Sequence, residues 1–99
     1  MTAMVAVDYA LAFAHDDSMW PVIVSLDKDN NPVPAGDKAT GFIYVEKRTG
    51  TPTPTTRDLA IAVECGEFAK SKDQNFVDFI IIGKDSFYSF ADERIVKLN

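Results

Sequence analysis

Apolar residues are densest between Phe76 and Phe90, in the run FVDFIIIGKDSFYSF. A polar break, Gly83-Lys84-Asp85-Ser86, divides it, and this pattern predicts a β-hairpin at the centre of a small sheet. In its first strand Phe76, Asp78, Ile80 and Ile82 alternate with Val77, Phe79 and Ile81. Successive strand side chains point to opposite faces, so both faces are apolar and both need cover. A helix can cover one. The other calls for a second layer, the N-terminal segment or another subunit.

Further strands are expected at Pro21 to Leu26, where a proline opens a β-branched run, and at Phe42 to Lys47. Asp27 to Asn31 reads as a turn, because Asn and Asp tolerate left-handed backbone angles. Residues 32–41 and 48–56 read as exposed loops rich in Pro, Gly and Thr. The tail around Ile95, Val96 and Leu98 can add an edge strand.

Two segments carry mixed signals. Residues 57–70 alternate at Leu59, Ile61, Val63 and Cys65, yet Thr55 or Thr56 suits an N-cap, Asp58 the first turn and Lys70 the last. A polar stripe at Arg57, Glu64 and Glu67 also fits a helix, which is preferred here although Gly66 weakens it by about 1 kcal/mol. Residues 4–14 place Val5, Val7, Tyr9, Leu11 and Phe13 against Ala6, Asp8, Ala10, Ala12 and Ala14. That period of two favours a strand with its bulky face inward; the alanines favour a buried helix. The strand is preferred and the helix kept open. Residues 4–47 and 58–90 also echo each other weakly, each an alanine-alternating segment followed by two strands.

The fold predicted is α+β: a mostly antiparallel sheet with one helix, about 56–70, packed on a face. The alternative is an all-β small barrel in which 4–14 and 58–65 are both strands. With 99 residues, 46% hydrophobic and 25% charged, the chain has the balance of one globular domain spanning 1–99.

The net charge of −5 and the scattered basic residues disfavour nucleic-acid binding. Cys65 is the only cysteine, so no internal disulfide forms, which points to a reducing, cytoplasmic setting. The apolar run 4–14 lacks a basic flank and is too short to span a bilayer, so no membrane association is expected.

No catalytic motif emerges. Asp27-x-Asp29-x-Asn31 copies the start of a calcium loop, but Pro32 stands where the loop needs glycine and Lys38 where it needs glutamate. An Asx turn is the better reading, and no metal site or cofactor is expected. His15 beside Asp16 and Asp17 reads as a solvated turn. Glu64 and Glu67 near Cys65 work against a reactive thiolate, leaving a buried apolar side chain.

Seven Phe and the two-sided hairpin point to a non-catalytic binding or regulatory module acting through protein contacts, as a homodimer. A second hypothesis is a small-molecule-binding protein or small enzyme, with a pocket between helix and sheet lined by Trp20, Tyr44, Phe68 and Tyr88. A third is an acidic inhibitor mimicking nucleic acid, which needs Asp16, Asp17, Asp27, Asp29 and Asp37 on one face. Circular dichroism separates the two folds: a helical contribution near zero removes the α+β reading.

Overall fold

The hairpin expected at 76–90 is present at the heart of a five-stranded sheet. A computed structural model describes residues 2–34, 36 and 38–98 of the chain. Strands β1 (Val22–Leu26), β2 (Gly41–Lys47), β3 (Asn75–Ile82), β4 (Ser86–Ser89) and β5 (Arg94–Lys97) lie in the order β1-β2-β3-β4-β5. Neighbours pair antiparallel except β2 and β3, which are parallel. Parallel neighbours need a crossover connection, and helix α2 (Thr56–Ser71) supplies it. The sheet is open, with β1 and β5 at its edges, so the barrel alternative is not supported.

One expectation is corrected outright: residues 4–14 form a helix, α1 (Ala3–Phe13), not a strand. Thr2 caps it, its Oγ1 accepting from the Val5 N–H at 3.3 Å. Ala6, Val7 and Ala10 face the core and are wholly buried. Burial thus follows the helical period and not the alternation: Val7 points inward with two alanines, while Val5, Tyr9, Leu11 and Phe13 are exposed along with Ala12.

Two helices, rather than the expected one, cover the sheet on opposite faces. Alternation sends Val22, Val24, Ile43, Val45, Ile80, Ile82 and Phe87 toward α1, where they form the larger core cluster. Phe42, Tyr44 and Phe76 face α2 and pack with Ile61, Cys65 and Ala69. The echo between the two halves is thus one of element order, helix then hairpin.

A bulge adjusts β3. Phe42 pairs with Phe76 but Ile43 pairs with Asp78, so Val77 is the extra residue. Phe76 thereby joins the α2 face, its ring 5.5 Å from Phe42, instead of sharing a face with Asp78 as strict alternation required. Asp78 is buried on the α1 side. Its carboxylate accepts from the Ser89 hydroxyl at 2.6 Å and from the Ala91 N–H at 2.9 Å, tying β3 to the β4–β5 turn. Burial pushes the Asp78 carboxyl above its ordinary value despite those bonds.

The start of α2 is fastened by a second buried acid. Asp58 completes a capping box with Thr55. It also receives both Arg48 terminal nitrogens, at 3.0 and 2.7 Å. Burial alone would raise the Asp58 carboxyl, but Arg48 and Thr55 outweigh it and hold it below its usual range. Nearby, Gly83 is a steric requirement: an added Cβ would stand 2.7 Å from the Gly50 carbonyl oxygen and 2.8 Å from Pro52.

Replacing the two glycines should act in opposite directions. Gly66→Ala meets nothing within 4 Å and should stabilise the chain by about 1 kcal/mol through helix propensity. Gly83→Ala should cost about 1–3 kcal/mol by overpacking. Thermal or urea unfolding reads both.

The two acids oppose each other in pH. Asp78, with its raised folded value, contributes stability that is full below the unfolded carboxyl pKa of about 3.9 and lost as pH rises through the folded value. Asp58, lowered, contributes stability present above about pH 3.9 and lost as pH falls through its folded value. Urea unfolding across pH should show the alkaline-side loss disappear in Asp78→Asn. Arg48→Ala should cost about 3 kcal/mol at neutral pH, because it strands a buried carboxylate.

Candidate functional site

Two features stand apart from the core: a groove beside α2 and the outward face of α1. The groove exists because α2 sits over β2 and β3 and leaves the same face of β1 bare. Ile23 and Ser25 of β1, with Phe42 and Tyr44 of β2, make the floor. Ile61, Cys65 and Phe68 of α2 make one wall, and Gly36 and Ala39 rim the other side. The space measures about 720 Å³, within the several hundred cubic ångströms usual for small-molecule sites.

Its floor is braced. The Phe42 ring meets Phe68 edge-on at 6.0 Å and stacks on Phe76 at 5.5 Å. Tyr44 contacts Phe79 at 5.0 Å. Burial, then the nearby Glu46, push the Tyr44 phenol upward, which keeps it neutral. Burial and Glu64 likewise push the Cys65 thiol up, so it lines the groove as a neutral side chain. Arg57, Glu64, Lys72 and Gln74 supply polar groups along the groove.

Of the four residues expected to line a pocket between helix and sheet, the fold brings together Tyr44 and Phe68. Tyr88 lies on the α2 side of the sheet but toward the β5 edge, paired with Ile95 in register and packed on Phe90 at 5.1 Å. Trp20 packs against the α1-side core and lines a separate cleft with Lys47, Arg48 and Lys84. Its peptide bond to Pro21 is cis.

Other candidate chemistry resolves into local structure. Asp27 Oδ1 accepts from the N–H groups of Asp29 and Asn31, at 2.8 and 3.0 Å, as an Asx turn does. Asn30 takes a left-handed φ of 60° there. Asp16 and Asp17 precede β1 while Asp27 and Asp29 follow it, so the strand separates the two pairs; Asp37 lies outside the described residues. His15 is exposed, its N–H directed at the Met19 sulfur. Among the described residues no group of three or more His, Cys, Asp or Glu side chains gathers to hold a metal ion, and no helix is long and apolar enough to cross a membrane.

The outward face of α1 is apolar. Val5 is 51% exposed, Tyr9 40%, Leu11 39% and Phe13 53%, and Asp8 is the helix's only charge. Val5, Tyr9 and Phe13, four residues apart, follow one ridge along the helix. Helix α2 also turns Leu59 and Val63 outward; its buried positions are Asp58, Cys65 and Ala69.

Sequence reasoning missed the Arg48–Asp58 pair and the Asp78–Ser89 contact. Both left a trace: Thr55-x-x-Asp58 has capping-box spacing, and Asp78 is an acid inside a strand apolar on both faces. No family model matches the chain. Comparison with curated proteins finds no match, nor does comparison with solved structures.

Proposed function

We propose that this protein is a non-catalytic protein-contact module that works as a homodimer, joined through the outward face of α1. The observation that carries this reading is the run of large apolar residues left exposed on that helix. Ala6, Val7 and Ala10 face its own core, while Val5, Tyr9, Leu11 and Phe13 are exposed. A helix that is apolar all round is at home when buried on all sides.

Pattern and charge favour a second copy. A two-fold axis near Tyr9 that pairs α1 helices antiparallel sets the small Val5 of one chain against the large Phe13 of the other. Tyr9 then meets its own copy, and the interface is self-complementary. The ridge carries no charge for an oppositely charged partner to recognise, and Asp8 stays on the rim, where water and salt screen it.

Sedimentation velocity tests the reading. A dimer is expected at tens of micromolar, weakened by about 2 kcal/mol or more in Tyr9→Lys or Phe13→Lys, as for central aromatic anchors. Val63→Lys, on the outward face of α2, should leave it intact. A wild-type chain that stays monomeric at that concentration would remove the homodimer, and a dimer lost only in Val63→Lys would move the interface to α2.

A further inference from the structure

We propose that the groove between α2 and β1 binds a small amphipathic anion, with an apolar or aromatic body on the floor and a carboxylate at Arg57. This stands independently of dimerisation, because the groove and the outward face of α1 lie on opposite sides of the sheet.

Three observations point to that ligand class. First, the groove is built before any ligand arrives. Its floor is held by the Phe68–Phe42–Phe76 ring contacts, and a preformed apolar trough with few polar groups is the usual form of a small-molecule site. Second, its size suits an elongated guest. Arg57 and Lys72 stand near the two ends of α2, roughly 22 Å apart along the helix axis at its usual rise, with Glu64 between them.

Third, its charge differs in sign from that of the chain. The described lining carries two cations and one carboxylate, in a protein of net charge −5. The ion pairs among the described residues are those of Arg48 with Glu46 and Asp58, so neither Arg57 nor Lys72 is committed to one. Arg57 is the better anchor. Its guanidinium can take a carboxylate through two parallel hydrogen bonds, and it lies at the N-terminal end of α2, where the helix dipole favours an anion. Lys72 lies at the opposite end, where that dipole disfavours one.

Dodecanoate, kept below its micelle threshold, is the probe, with dodecyltrimethylammonium as the control of opposite charge. Calorimetry should give one dodecanoate per chain. Thermal unfolding should shift upward with dodecanoate concentration, as linkage requires. Cys65 on the wall should react several-fold more slowly with a thiol reagent when dodecanoate is present. Arg57→Glu should weaken binding about tenfold or more, and Phe68→Glu, at a half-exposed position that lines the groove and braces the Phe42 ring, should abolish it.

The proposal is overturned by any of four results. They are absence of dodecanoate binding, equal binding of the cationic amphiphile, affinity unchanged in both groove variants, or loss of binding in Tyr9→Lys with the groove variants unaffected. The last would place the amphiphile on the outward face of α1. Sedimentation of the same variants reads the dimer separately, so failure of one proposal does not disguise failure of the other.

Discussion

Ile80, Ile81 and Ile82 are consecutive residues of β3, and none is more than 1% exposed. A strand that sends side chains to both faces can reach that condition only between two layers. The rest of the architecture follows from meeting this requirement in a short chain. Helix α1 closes one face and α2 the other. Because α2 lies between β2 and β3 in sequence, those two strands run parallel while the remaining pairs are antiparallel. The buried acids serve the same end. Asp58 receives Arg48 from the end of β2 and so fixes where α2 begins, and Asp78 ties β3 to the turn after β4.

Covering both faces with only two helices leaves the cover incomplete. Helix α2 sits over the middle of the sheet, so β1 on one side and the Tyr88–Phe90 region on the other are only partly shielded. The groove beside β1 is therefore a product of the layer count, a sheet wider than the one helix laid across it. The outward face of α1 has a different origin. The inward side of that helix is filled by Ala6, Val7 and Ala10, so Val5, Tyr9, Leu11 and Phe13 are left outside the core. The protein thus carries two unlike surfaces, a concave one with mixed charge and a convex one almost without charge.

The readable parts of the sequence were those in which local chemistry and tertiary burial agree. Thr55, Asp58 and Lys70 mark the ends of α2 by capping and dipole rules that hold in any context. The runs VIVSL, FIYVEK and FVDFIII form strands because β-branched and aromatic side chains suit a pleated, buried surface. Residues 4–14 misled because alternation was equated with burial. On the helix the bulky set divides, Val7 going inward while Val5, Tyr9, Leu11 and Phe13 stay exposed. Phe76 changed faces because a bulge breaks the period that the pattern relies on. At the groove, Tyr44 and Phe68 were accessible to reasoning about a helix lying on a strand. Trp20 and Tyr88 were not, since Trp20 turns to the α1 face of the sheet and Tyr88 lies toward the β5 edge, placements that strand order sets and local pattern does not.

The alanine side of α1 also bears on the order in which the molecule comes apart. Ala6 and Ala10 each contribute a single methyl group to the core, so beside Val7 and the partly buried Met4 the helix buries little apolar area for its length. Regions with little buried apolar area open at a lower free-energy cost than the global transition. The backbone amides of α1 should therefore exchange with solvent sooner than those of β3, whereas complete detachment would uncover Ile80, Ile82 and the core around them and so belongs to global unfolding. A companion seated on the outer ridge would add anchorage to α1 and slow that exchange.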